Sequence, residues 1–398
     1  MKYDVIVIGA GIVGLASAYR ILEAKPNLKL LIIEKESGVA KHQTGNNSGV
    51  IHSGIYYKPG SLKAVNCING YNQLINFCDE NGIKYELCGK VIVALNEKEL
   101  PALDNIYKRG IENGMEGIKY LSSEEVKEKE PYVTCLKGIH VPQTGIINYT
   151  EVSEKLLDIV KSKGGEAKFN ARVMKIVNKN DYNVVVTDTM EYETDAVVCC
   201  GGLQSDELAS FATQDVNFKI IPFRGEYYKL KKEKNYLVKN LIYPVPDPAF
   251  PFLGVHFTRM IEGGVEAGPN AVFAFQKEGY KKSDVNFGEL FTSLTYPGFL
   301  KIAAKYWRTG MGEMYRSFSK SAFTKALQKL IPDVQESDLV EGGAGVRAQA
   351  CSKDGRLIDD FLFIQNGKIL NVCNAPSPAA TSSLSIGNYI KDKIITLL

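Results

Sequence analysis

No stretch of this chain approaches the roughly 20 consecutive apolar residues that crossing a bilayer requires, so no transmembrane helix is expected. An excess of charge of one sign is also missing. A formal charge of +3 over 398 residues offers no field for a polyanion and argues against a nucleic-acid partner. The eight cysteines, at 67, 78, 88, 135, 199, 200, 351 and 373, include no C-x-x-C pair. That excludes the usual zinc and dithiol spacings, and it predicts reduced, mostly buried thiols and no metal site. Histidine is scarce, with only four copies, so any chemistry that needs an imidazole is confined to His42, His52, His140 and His256. Internal repeats and low-complexity tracts are absent. An apolar strand already under way at Tyr3 leaves no room for a signal segment, so the expectation is a cytoplasmic protein.

What is present is the composition of a globular protein, 45% hydrophobic and 23% charged, with length enough for two or three domains. The most informative stretch comes first. Asp4-Val5-Ile6-Val7-Ile8 is β-branched and apolar without helical period, and Gly9-Ala10-Gly11-Ile12-Val13-Gly14 follows at once. Gly9 suits a tight turn, Gly11 a close approach of a pyrophosphate, and Gly14 close packing of the next helix on the sheet. The amides of Ile12 and Val13 open that helix and face the phosphates. After a second strand, Leu28 to Ile33, Glu34 lies about twenty residues past Gly14, where a carboxylate holds both ribose hydroxyls. The ligand is therefore FAD or NAD, and not NADP.

Further along, residues 35–57 are a polar loop of small residues, amides and hydroxyls, suited to wrapping a flat polar ligand. Apolar spacing predicts a helix over 62–81, stopped by Gly82, then a strand over 90–95 and an exposed helix over 97–113. Ser122 and Glu125 form a capping-box pattern opening a helix that must end before Pro131. An amphipathic helix over 151–163 and strands over 169–175 and 183–187, read as a small hairpin layer, lead to the buried strand Ala196 to Cys200 and the Gly201-Gly202 turn. That turn is either a second wall of the dinucleotide crevice or an ordinary strand-to-helix turn. From 216 to 343, prolines at 222, 244, 246, 248, 251 and 269 punctuate short strands such as 227–230 and 252–258, the texture of an antiparallel sheet. A basic helical stretch follows over 296–329, read as a solvated face or an anionic-membrane contact. A hairpin over 361–372 and a closing helix over 381–398 complete the chain.

With these segments placed, the chain resembles the FAD-dependent oxidoreductases of the glycine oxidase and D-amino-acid oxidase superfamily, and within it the branch that oxidises L-2-hydroxyglutarate. The blocks that carry the resemblance span the whole chain. They are residues 42–45, Asn47-Ser48-Gly49-Val50-Ile51-His52-Ser53-Gly54-Ile55-Tyr56-Tyr57, residues 222–227, 242–248, 253–259 and 344–350, and Asn374-Ala375-Pro376-Ser377-Pro378-Ala379-Ala380-Thr381. One position departs, Asn46, where relatives often carry histidine. The resemblance implies a mixed α/β (α+β) architecture: an FAD-binding Rossmann-like domain with a second, antiparallel-sheet substrate domain. The FAD-binding part is assembled from 1–89, 146–215 and 344–398, and the substrate part from 90–145 and 216–343. It implies non-covalently held FAD contacted by Gly9, Gly11, Gly14, Glu34, Lys35, Thr44, Ser48, Val173, Gly201, Gly202, Arg347 and the stretch Pro376, Ser377, Ala379, Ala380 and Thr381. The implied reaction takes L-2-hydroxyglutarate to 2-oxoglutarate, with hydride passing from Cα to flavin N5. Electrons then go to oxygen or a membrane quinone, and peripheral contact with the inner face of the membrane is permitted. An amine oxidase acting on glycine or sarcosine shares the implied fold, and a non-catalytic flavin-binding redox protein is the third reading.

Oxidising a 2-hydroxy acid needs a base for the hydroxyl proton and a cation for the carboxylate. An arginine fork grips a carboxylate in two parallel hydrogen bonds, and Arg347 matches the arginine that family members place over the flavin. A second carboxylate wants a second cation, for which Arg224 and Arg259 are the candidates. Histidine is the natural base near neutral pH. His52 and His256, both in family-specific blocks, are the two choices, whereas His42 suits a loop hydrogen-bonder and His140 a structural role. Tyr57 and Tyr243, with Tyr56, are expected to line the pocket or orient the substrate hydroxyl.

Overall fold

The computed structural model describes residues 2–179, 181–213, 216–247 and 254–398. Pro248, Pro251 and the expected strand start at Phe252 lie outside them. Strand Lys2–Ile8 forms as the sequence predicts, with Val5, Ile6 and Val7 fully buried. It runs parallel to Leu30–Ile33 on one side and to Glu191–Cys199 on the other. A strand buried on both faces needs apolar residues at every position, which explains the run without alternation. Each such side chain contributes about 1.5–3 kcal/mol of burial.

Glu191–Cys199 organises the far half of this eight-stranded sheet. Its first half pairs antiparallel with Asn183–Thr187, which in turn pairs with Val173–Asn178. Its second half pairs parallel with Ile369–Asn374. The hairpin expected as a separate layer is thus an extension of the nucleotide sheet. The strand expected over 169–175 is split into Glu166–Lys168 and Val173–Asn178. Between them Asn170 takes φ of 53°, a left-handed conformation that breaks a strand. Helix Ile12–Ala24 packs on this sheet with Tyr149–Ser162 and the closing helix Ser383–Ile395.

The second sheet has nine strands, in the order 272–273, 218–230, 265–268, 256–259, 241–244, 90–94, 137–141 and 119–122, with Leu339–Ser352 paired to Phe218–Leu230. That last pairing is antiparallel and runs from Phe218 opposite Ser352 to Leu230 opposite Leu339. The expected segment boundary between 343 and 344 therefore falls inside a strand, which keeps residues 344–352 in the second sheet. Pro222 does not end a strand either. It sits within Phe218–Leu230 opposite Ala348, and its carbonyl accepts from the Ala274 amide at 3.0 Å. The Ser122 capping box forms and opens Ser123–Lys129 as expected. The basic helical stretch is Pro297–Phe318 followed by Lys320–Leu327, the break capped by Ser319, whose Oγ accepts from the Ala322 amide. Helix Phe287–Leu294 was not anticipated. Val50–Ile51, Gly145–Ile147 and Tyr85–Glu86 form a small three-stranded sheet, whose Ile51 and Ile147 pack into the nucleotide-side core and whose Val50 and Ile146 pack on Leu241 and Tyr243 of the nine-stranded sheet. None of the eight cysteines is in a disulfide.

Candidate active site

A cavity of about 620 Å³ opens between the C-terminal ends of the parallel strands and one face of the nine-stranded sheet. Its nucleotide side is the glycine turn. Gly9 has φ of 102°, and a Cβ there would sit 2.4 Å from the Cys200 carbonyl oxygen. A Cβ on Gly14 would lie 2.0 Å from the Gly9 oxygen. Nothing but glycine fits either place. The same wall carries Ile12, Val13 and Glu34, and the Ile12 amide donates to the Thr44 hydroxyl at 3.1 Å. The Glu34 carboxylate accepts from the Ala10 amide at 2.7 Å and the Glu36 amide at 2.9 Å. Each oxygen keeps a second lone pair for a ribose hydroxyl. Gly11, Lys35, Ser48, Val173, Gly201 and Gly202 also line the cavity. A dinucleotide fits these residues: an acid at the ribose position, a glycine turn and a helix N-terminus at the pyrophosphate position.

Beside this wall, Lys35 Nζ lies 2.5 Å from Glu36, 3.0 Å from His42 Nε2 and 2.9 Å from Glu278. Glu36, His42 and Glu278 thus converge on an ammonium, which supplies the positive charge that three such ligands would otherwise seek from a metal ion. His42 also stacks on Tyr280. It is a loop hydrogen-bonder, as the sequence suggested.

The opposite wall gathers His52, Tyr56, Tyr57, Tyr243, His256 and Arg347, with Pro376, Ser377, Ala379 and Ala380 beside them. Thr381 stands one layer back. Its hydroxyl accepts from the His52 amide at 3.0 Å and bonds the Tyr149 hydroxyl at 2.8 Å, so it positions His52 without lining the cavity. Arg347 reaches over Gly225, where a Cβ would meet its Nη1 at 3.2 Å. His256 and Tyr243, from neighbouring strands, stack with centroids 4.0 Å apart. His256 Nδ1 lies 2.9 Å from the Gly254 carbonyl oxygen. Only an N–H can face a carbonyl, so Nδ1 carries the proton and Nε2 keeps its lone pair. His52 Nε2 lies 3.3 Å from the Ser377 hydroxyl, and either group can be the donor. Burial pushes both imidazoles down to about 3, helped at His52 by Lys90 and His256, and at His256 by Arg347 and Lys90. Both are neutral at pH 7. Burial also draws Arg347 below the usual arginine value, while Tyr56, Tyr57 and Tyr243 are driven upward by the same cause.

The two candidate second cations are not brought here. Arg224 is buried against Glu226 at 2.9 Å and donates to the Lys281 carbonyl. Arg259 pairs with Glu86. Neither lines the cavity. Lys90, which little in the sequence singles out, does not line the cavity either, but it lies directly behind two side chains that do, Tyr56 and Tyr243. It is 2% exposed, and its Nζ lies 4.5 Å from the Tyr56 ring centroid and 4.9 Å from that of Tyr243. Its only signal in the sequence is that a lysine heads an otherwise apolar strand. Lys63 does line the cavity, 2.8 Å from the exposed Asp359.

Comparison with known proteins shows the family. The family described as "FAD dependent oxidoreductase" matches residues 4–393. The chain is 57% identical to an L-2-hydroxyglutarate dehydrogenase of Indibacter alkaliphilus, covering 98% of each. It is 46% identical to that of Escherichia coli strain K12, covering 100% of this chain and 94% of the relative. With the human mitochondrial L-2-hydroxyglutarate dehydrogenase it shares 43% over 99% of this chain and 89% of the relative. Among solved structures it resembles L-alpha-glycerophosphate oxidase from Mycoplasma pneumoniae with FAD bound, at TM-score 0.82 and 22% identity over 100% of this chain and 95% of that one. Glycine oxidase from Bacillus cereus follows at TM-score 0.72 and 18% identity, covering 100% and 96%. At those identities the structures speak for the fold alone.

Proposed function

The chain belongs to the FAD dependent oxidoreductase family, and from that premise we propose that it oxidises L-2-hydroxyglutarate to 2-oxoglutarate. The observation that carries the reading is the meeting of Arg347 with two neutral imidazoles on the wall opposite the glycine turn. Relatives of 43–57% identity over nearly their whole length bear the corresponding name. FAD, when bound, supplies the acceptor for the hydride that leaves Cα. Arg347 takes the carboxylate next to the hydroxyl in two parallel hydrogen bonds and fixes which face of Cα is presented. His256, its tautomer set by Gly254, receives the hydroxyl proton on Nε2. Tyr243, stacked on it, holds the ring plane. His52, tied through its amide to Thr381, completes the wall and helps exclude water.

The test is anaerobic mixing of purified holoprotein with L- and D-2-hydroxyglutarate, glycine and sarcosine while the flavin absorbance is followed. Bleaching by the L-hydroxy diacid alone is expected. Bleaching by glycine or sarcosine and not by L-2-hydroxyglutarate would replace this reading with an amine oxidase. No bleaching by any of them would leave a flavin-binding redox protein.

For the electron acceptor we favour a membrane quinone reached by peripheral docking. No helix of the described residues is long and apolar enough to cross a membrane. Yet Trp307, Met311, Tyr315 and Phe318, spaced to share one face of helix Pro297–Phe318, are 59–72% exposed, and Phe287 and Phe291 on the preceding helix are 81% and 68% exposed. Lys301, Lys305 and Arg308 are exposed on the same helix. Aromatic residues beside basic ones suit an anionic lipid surface. The protein is expected to float with phosphatidylglycerol vesicles and not with phosphatidylcholine ones, and a Trp307→Glu, Met311→Glu double variant should stay in solution. Wild-type protein that ignores both vesicles, with a dimer lost in the double variant, would reassign the face to self-association.

A further inference from the structure

The proposed substrate carries two carboxylates, and Arg347 accounts for one of them. The other enters a cavity walled by aromatic rings and imidazoles, where an unpaired carboxylate is too costly to bury. Arg224 and Arg259 are committed to Glu226 and Glu86 outside the cavity. Lys63 is held by Asp359, a residue whose side chain is 93% exposed, which places that pair at the solvent edge.

Lys90 has the converse problem. Register places it level with Leu241 on the adjacent strand, two residues from Tyr243, so Lys90, Tyr243 and the His256 stacked on that tyrosine share one face of the sheet. Lys90 itself stands behind the lining: its ammonium rests on the faces of Tyr56 and Tyr243, which line the cavity, and its charge is felt by the cavity's His52 and His256. Among the described residues no carboxylate pairs with it and no acceptor takes its hydrogen bonds. The Tyr56 hydroxyl beside it is also buried without a partner among the described residues. The titratable groups around Lys90 are Tyr56 from the polar loop, Cys67 from helix Leu62–Asn81, Tyr243, His52 and His256, and none of them is anionic near neutral pH: burial holds Cys67 up at about 12, drives the tyrosines upward, and leaves the imidazoles neutral. Burial also draws the Lys90 amine down to about 7, so an arriving anion decides whether it is charged.

Resting on the function proposed above, we propose that Lys90 receives the second carboxylate of the substrate and is the residue that makes the site prefer a diacid. A merely structural lysine would not change the choice between substrates. The test therefore compares L-2-hydroxyglutarate with L-2-hydroxypentanoate, which has a methyl group in place of the distal carboxylate, on wild-type holoenzyme and Lys90→Met. The variant should raise KM for the diacid by about tenfold or more, with kcat little changed, and leave kcat/KM for the monoacid as it was. A second readout needs no turnover: 2-oxoglutarate, followed by its perturbation of the flavin spectrum, should bind the variant more weakly, and 2-oxopentanoate should not. Should Lys90→Met lose its flavin, the same ratios are read from Lys90→Arg and Lys90→Gln; preference kept in the first and lost in the second supports the assignment, and equal preference in both overturns it. An unchanged diacid-to-monoacid ratio in Lys90→Met would overturn it too, while leaving the oxidation of L-2-hydroxyglutarate standing. Wild-type enzyme inert toward L-2-hydroxyglutarate would instead remove the function on which the assignment rests.

Discussion

Replacing His256 by glutamine is expected to lower kcat for L-2-hydroxyglutarate by about 10²–10⁴-fold, the usual worth of a positioned general base. Glutamine retains a donor for the Gly254 carbonyl and much of the ring's volume, but it offers no lone pair basic enough to take a proton. KM should change little, because the carboxylate is held elsewhere. The same substitution at His52 should cost less, since among the described residues no carbonyl fixes the tautomer of its ring and its clearest tie is the backbone hydrogen bond to Thr381. A His52→Gln variant slower than His256→Gln would exchange the two roles. The pH profile offers a second check. An imidazole brought down from its ordinary 6.5 to about 3 stays neutral, and so able to accept a proton, through the mildly acidic range. The acid limb of kcat/KM, which reports the free enzyme, should accordingly lie well below pH 6.5. A limb centred near 6.5 would mean that the base is a solvated histidine.

Arg347→Met should lower kcat/KM by about 10²–10⁴-fold, in keeping with the loss of one partner of a buried, charge-assisted pair. Unlike the Lys90 variant, it should damage the diacid and its monoacid analogue alike, because both carry the carboxylate next to the hydroxyl. Arg347→Lys should recover little of the loss, since an ammonium has no planar fork with which to fix the orientation of Cα. The site is built for the longer side chain. Strand Leu339–Ser352 is paired along its length to Phe218–Leu230, and Gly225 beneath the guanidinium leaves room for it, a Cβ there lying 3.2 Å from Nη1 and 2.8 Å from Pro269. Activity within tenfold of wild type in Arg347→Met, at full flavin content, would remove Arg347 from the substrate.

The nucleotide half was legible because its demands are local. A buried parallel strand, a turn with no room for a side chain and an acid at the next strand's end all fall within residues 2–34, and each constrains residue type directly. On the proposed substrate side, the arginine and the two histidines named from sequence do meet in one cavity, whereas the proposed second cation was not legible. Sequence reports that Arg224 and Arg259 are charged. It does not report that Glu226, two residues on, and Glu86, on a different sheet, already hold them. Lys90 was hidden for the opposite reason: a lysine at the head of an apolar strand looks like its solvated end, and only the pairing of Lys90–Ala94 with Leu241–Pro244 puts it behind two tyrosines. Pro222 misled in a similar way, since whether a proline ends a strand depends on what its neighbours need from it.

The groups proposed to hold the cofactor and those proposed to hold the substrate ride mostly on different sheets: the glycine turn and Glu34 on one, Tyr243, His256 and Arg347 on the other. The gap a hydride must cross is then set by a joint, through the small sheet, whose Val50 and Ile146 pack on Leu241 and Tyr243 while Ile51 and Ile147 enter the nucleotide-side core, and through Lys35 with Glu278, and by no single side chain. Loosening that joint would leave every reacting group intact and in place on its own half, and still slow the chemistry.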